Sequence, residues 1–144
     1  MTSKEKMNVL VVGASGATGR LLTEELLNRG QLVKVIVRSP DKLPASLRNH
    51  ANLSVIHASI LDLSDAELAR HLKGCDAVAS CLGHNMNFKG LYGHPRKLVT
   101  DTARRLCDAI KANTPEEPIK FVLMNTAGNS NRDLDEPIPF AQKF

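Results

Sequence analysis

The stretch MNVLVVGASGATGRLLTEELLNRG, Met7 to Gly30, passes from a strand-like run into a helical pattern through three glycines. Val9–Val12 is unbroken and apolar, as a strand covered on both faces should be. Gly13, Gly16 and Gly19 follow at three-residue intervals. Ala17–Arg29 then places Ala17, Leu21, Leu22 and Leu26 on one helical face and stops at Gly30, a residue suited to the position after a helix. Such glycines serve either an ordinary tight turn or a place where backbone must approach another group closely.

Outward from this stretch, strands and helices alternate. QLVKVIV (31–37) reads as a second strand, closed by the turn signal RSPDKLP, and LSVIHA (53–58) as a third. In LSDAELARHLKG, Ser64 is placed as N-cap with Glu67 completing a capping box and Gly74 as the stop. DAVASCLG reads as a fourth strand ending in a glycine loop. HPRKLVTDTARRLCDAIKAN puts Leu98, Val99, Thr102, Leu106, Ala109 and Ile110 on one stripe, with Pro95 suited to a helix start. IKFVLMNTAGN supplies a fifth strand. No repeat, linker or low-complexity segment interrupts the order.

Strand–helix alternation with short connections implies parallel strands joined by crossovers. The expected α/β architecture is a doubly wound parallel sheet, the Rossmann fold, in the order 3-2-1-4-5, either truncated after the fifth strand or a minimal version of the fold. Ligands of such sheets lie beyond the carboxyl ends of the strands, where strand order reverses. The glycines fall there. Gly13 would close the strand in a tight turn, Gly16 would let backbone approach a pyrophosphate, and Gly19 would let helix pack on strand. The helix N-terminus would add N–H groups and a positive partial charge. A Walker loop is excluded, because GxxxxGK needs a glycine at Thr18 and a lysine after it.

Bulk properties narrow the field. A chain of 144 residues fits one domain and has enough length for a core without disulfides. Cys75, Cys81 and Cys107 are an odd number without metal-ligand spacing, and the five histidines show none either, so no metal site is expected. Reduced thiols, and an apolar run at Val9–Val12 too short for a leader or membrane span, place the chain in the cytoplasm with no membrane partner. Net charge is +4, but aromatics are only 3% and no basic–aromatic cluster occurs, which argues against nucleic acid.

GASGATGR, Gly13–Arg20, resembles the loop of the short-chain dehydrogenase/reductase superfamily, in its atypical branch with a GATGxxG-type loop. NmrA-like proteins and biliverdin-IXβ/flavin reductases are similar. The resemblance runs from about Met7 to Gly128. It implies cofactor contacts from the whole loop: Gly13, Ala14, Ser15, Gly16, Ala17, Thr18 and Gly19. An acid for the ribose 2′-hydroxyl is expected about twenty residues past the loop of an NAD-preferring fold. This chain has Arg38 and Ser39 there, which can hold a 2′-phosphate, although Arg38 also suits a solvated turn. Asp62 and Leu63 follow the third strand, where relatives hold the adenine; a helix-capping role for Asp62 is the alternative. Cys81, Leu82 and Gly83 correspond to a loop that runs beside the nicotinamide ribose.

For catalysis the resemblance implies a hydroxyl after the fifth strand, matched by Thr126, and a Tyr-x-x-x-Lys that this chain lacks. Tyr92, the single tyrosine, has only Arg96 four residues on. His84 and His94 flank the fourth-strand loop, with His84 a candidate proton donor and a surface or capping role the alternative. Three functions stand. One is an NADP(H)-dependent reductase passing hydride to a small conjugated acceptor such as a flavin or quinone. The second is a non-catalytic NADP(H) sensor of NmrA type acting through a protein partner. The third, a nucleotide-sugar epimerase or dehydratase, needs the missing Tyr and Lys. Relatives continue beyond a fifth strand, so residues 1–144 are expected to be one NAD(P)-binding domain and the N-terminal part of a longer reductase fold.

Overall fold

Five apolar runs become five parallel strands. The structure, a computed structural model, describes residues 6–82 and 95–124, with side chains in the second stretch from Leu98 onward. β1 (Asn8–Val12), β2 (Leu32–Val37), β3 (Leu53–His57), β4 (Ala77–Ser80) and β5 (Lys120–Leu123) form one sheet in the order β3-β2-β1-β4-β5. β1 is central, with Val9 opposite Val33 of β2 and Ala77 of β4. All four pairings are parallel, which is what the alternation of strands and helices requires.

Successive side chains of a strand point to opposite faces, so the apolar runs feed two cores. Val9, Val11, Val35 and Ala79 cluster with Leu27 of α1 (Ala17–Asn28) and Leu47 of α2 (Ala45–Arg48). Leu10, Val12 and Val78 cluster with Leu68 and Leu72 of α3 (Asp65–Leu72), and with Leu106 and Ala109 of α4 (Pro95–Ala112). Leu10, Leu68, Leu72 and Leu106 are completely buried. Each such side chain contributes about 1.5–3 kcal/mol relative to exposure.

Local signals act as expected at α3. The Ser64 hydroxyl accepts from the Glu67 N–H at 3.2 Å, and the Glu67 carboxylate accepts from the Ser64 N–H at 2.8 Å. At α1 the expected stripe is corrected. Gly19, Thr23 and Leu27 face the core, with Leu22 and Leu26 at its margin, whereas Leu21 is 63% exposed and Ala17 is exposed. The cause is close packing at Gly19, which turns the helix so that its smallest residue meets the loop. Thr23 is tolerated inside because its hydroxyl donates to the Gly19 carbonyl at 2.8 Å. The segment read as a bare turn holds a 3₁₀ turn at Pro40–Lys42, with α2 directly after it, and Leu43 and Leu47 are buried there.

Candidate cofactor-binding site

The carboxyl ends of β1, β2 and β3 open together onto a cleft of about 430 Å³. Val12, Gly13 and Ser15 form its floor, and Ile36, Val37 and Arg38 form one side. Ala58–Leu61, following β3, make the opposite wall, and Leu82 after β4 and Leu98 of α4 close the end. The cleft lies over β1 and its β2–β3 side, and at Leu82 it reaches the point between β1 and β4 where strand order reverses.

The glycine loop has the geometry of a cradle. Gly13 sits at φ +77, and a Cβ there would lie 2.6 Å from the Cys81 carbonyl carbon and 2.9 Å from the Leu82 nitrogen. A side chain would therefore force apart the ends of β1 and β4. A Cβ on Gly19 would lie 2.1 Å from the Gly13 oxygen, so the start of α1 rests on the loop itself. Gly16 differs: a Cβ there would meet only the Gly13 oxygen, at 3.4 Å, which leaves its outer side open to an approaching group. The Gly16 N–H donates to the Gly13 carbonyl at 3.1 Å, which closes the turn.

α1 begins at this loop without a capping side chain and without an acid in its first turn. The first N–H groups of a helix have no partner within it, and they carry a positive partial charge. An anion finds donors there and no repelling carboxylate. The residues present thus fit a pyrophosphate.

Arg38 lies one residue past β2, exposed at the cleft edge. Its carbonyl accepts at 2.9 Å from His57 Nε2, which must carry the proton because a carbonyl only accepts. The Ala58 N–H donates to the Val37 carbonyl at 3.1 Å. These two bonds tie the end of β2 to the end of β3 and fix where the Arg38 side chain starts.

Of the residues singled out from sequence, Gly13, Ser15, Arg38 and Leu82 line this one cleft. Ala14 is buried beneath the loop, while Ala17 and Thr18 are exposed in the first turn of α1. Ser39 starts the 3₁₀ turn beside Arg38. Asp62 and Leu63 are not among the lining residues. Asp62 is exposed, and the Leu63 side chain packs at the margin of the α3–α4 core. Ser59, Ile60 and Leu61 line the wall instead, and counting from the strand's end at His57 would have found them. Cys81 is buried with its backbone against Gly13, and burial pushes its thiol pKa up, as it does for Cys75. Gly83, His84, Tyr92, His94 and Thr126 lie outside the described residues. Among the described residues no cluster of His, Cys, Asp or Glu could hold a metal ion, and no helix is long and apolar enough to cross a membrane.

Comparison with known proteins agrees with the geometry. The family model described as NAD(P)H-binding matches residues 13–142. An uncharacterised chloroplastic protein of Arabidopsis thaliana is 37% identical over 57 residues, which are 40% of this chain and 20% of that protein. The crystal structure of the oxidoreductase ylbE from Lactococcus lactis superposes with a TM-score of 0.63 at 23% identity, covering 84% of this chain and 49% of that one. The negative transcriptional regulator NmrA, solved in complex with NADP, superposes with a TM-score of 0.61 at 16% identity, covering 83% and 33%. The chain therefore spans a fifth of the curated relative and about half or less of these structures.

Proposed function

Because the chain belongs to the NAD(P)H-binding family, we propose that its cleft takes NADP(H) in preference to NAD(H) and serves a reductase that passes hydride to a small conjugated acceptor, flavin- or quinone-like. The observation that carries this reading is the pairing of a glycine cradle at the start of α1 with Arg38, instead of an acid, at the end of β2. NADPH would supply the hydride when bound.

The chain's own residues supply position and charge. N–H groups at the start of α1 hold the pyrophosphate, and Gly16 admits it. Arg38 gives planar, charge-assisted donors to a 2′-phosphate, with the Ser39 hydroxyl adjacent. Ile60, Leu61 and Leu98 keep water from the apolar part of the cleft. Residues 1–144 are, in this reading, the cofactor domain of a longer reductase, whose acceptor pocket is built from further segments.

A hydrogen bond to a charged group contributes about 1.5–3 kcal/mol, which corresponds to roughly ten- to a hundredfold in affinity. Calorimetric titration should therefore find NADPH bound at least about tenfold tighter than NADH, and Arg38→Asp should remove or reverse the preference. Equal dissociation constants for the two cofactors in the unaltered chain would end the assignment. Absorbance decay of bound NADPH with flavin and quinone acceptors then separates reductase from sensor: binding without hydride loss in the full-length protein would favour an NmrA-like regulatory role.

A further inference from the structure

The wall formed by Ala58–Leu61 belongs to a loop that is held from outside. Its ends are fixed locally, by the Ala58 N–H on the Val37 carbonyl and by the capping box of Ser64 and Glu67. Between them, three carbonyls, those of Ile60, Leu61 and Leu63, are gripped by one side chain from α4. Arg105 Nη1 donates to the Ile60 carbonyl at 2.7 Å and to the Leu61 carbonyl at 3.3 Å. Its Nη2 donates to the Leu63 carbonyl and, at 3.1 Å, to Asp65 Oδ1, while Nε reaches the same Asp65 oxygen at 3.3 Å.

We propose that Arg105 is a positioning residue for cofactor binding: its guanidinium sets the shape of the loop that forms the adenosine wall of the cleft. The proposal rests on reading the cleft as a dinucleotide site. Two of the carbonyls it holds belong to Ile60 and Leu61, whose own atoms line the cleft. Seven residues earlier on the same helix, Leu98 lines the cleft as well. That spacing is two turns, so Leu98 and Arg105 share one face of α4. One helix thus supplies one wall residue and grips the backbone of another wall.

The side chain suits this task and few others would. A guanidinium offers five donors in a rigid plane, enough for three carbonyls and a carboxylate at once. A lysine is a point charge on a flexible stem and cannot hold the same set. The Arg105 side chain is only 23% exposed, while Asp65 is 94% exposed, so the pair is no simple surface salt bridge. The carboxylate completes the fork from solvent, and the carbonyls of the loop are the partners inside.

Without the clamp, the loop would have to be ordered by the ligand when it binds, and affinity falls by the cost of that ordering. The test compares the chain with Arg105→Lys, using calorimetric titration of NADPH and amide hydrogen exchange read by mass spectrometry. Expected results are a dissociation constant for NADPH raised about tenfold or more, and faster exchange over residues 58–64. Exchange in β1 and β2 should not change, and added NADPH should restore loop protection. A global packing defect would instead speed exchange in every strand. Such a pattern, or unchanged NADPH affinity in the variant, overturns the proposal. Should Arg105→Lys fail to fold, Asp65→Asn decides by the same readouts, with a smaller shift in the same direction, and no shift in either readout counts against the clamp. If the unaltered chain binds no NADPH, the reading of the cleft fails and the clamp with it; if it binds and the variants match it, only the clamp fails.

Discussion

Replacing Gly13 by alanine separates two costs that most glycine substitutions mix. The residue sits at φ +77, in the left-handed region, where an L side chain costs about 1–2 kcal/mol. Its added Cβ would also stand 2.6 and 2.7 Å from the Cys81 carbonyl carbon and oxygen. Those are backbone atoms of the segment leaving β4, whose Cys81 N–H is bonded to the Val12 carbonyl at 2.9 Å. They cannot swing aside as a flexible side chain would, and overpacking of this kind costs about 1–3 kcal/mol. The expected loss is therefore about 2–5 kcal/mol from a domain of ordinary stability near 5–15 kcal/mol. Gly30 provides the control, with φ +74 and nothing within 4 Å of an added Cβ. Gly30→Ala should lose only the backbone part. Urea unfolding followed by far-ultraviolet circular dichroism, with unchanged m-values, gives both numbers. Gly13→Ala should be the worse of the two by about 1–3 kcal/mol. If the two variants agreed within a few tenths of a kcal/mol, the close approach of β4 to the loop would carry no energy.

Other outcomes follow from the same structure. Gly16→Val should leave the fold intact, since only the Gly13 oxygen at 3.4 Å is near, yet prevent NADPH binding; titration with a circular dichroism control checks it. Stability should fall with acid. Hydrogen bonds from the Ser64 N–H and hydroxyl hold the Glu67 carboxyl below its usual range, and burial, with Arg70 and Lys34 near, lowers the His71 pKa from 6.5. Both groups bind protons more readily when unfolded, so each contributes stability above its unfolded pKa that is lost as pH falls through the folded value. Urea midpoints that rose between about pH 7 and pH 4 would contradict this. Iodoacetamide should label half-buried Cys107 well before Cys75 and Cys81, which are buried and whose thiols burial pushes up; equal labelling rates by mass spectrometry would refute it.

The strand order was legible because each strand is a short apolar run bounded by turn residues, and a helical pattern stands between all successive pairs but the second and third strands. The capping box at Ser64 was legible for a similar reason: both partners lie within four residues. Reading failed where a contact over long range decided the outcome. The buried face of α1 follows from Gly19 meeting Gly13, so ranking residues by apolarity favoured Leu21 over Thr23. Asp62 was singled out by resemblance to relatives and stands exposed beside the cleft, while position along β3 adds Ser59–Leu61 to its lining. Arg105 gave no signal, because the carbonyls it holds are more than forty residues away in the chain.

The central place of β1 has a consequence for how the protein is made. Its partner on one side, β2, ends at Val37, but its partner on the other, β4, ends only at Ser80. At about 5–20 residues per second, synthesis of the intervening stretch takes several seconds. Throughout that time the strand NVLVV shows one unpaired edge, and an uncharged apolar edge is what other nascent chains pair with. Yield in a cell should then follow the supply of ribosome-associated chaperones more closely than the melting temperature of the finished domain. Slow codons placed between Val37 and Ala77 should lengthen the exposure and send more of the product into inclusion bodies.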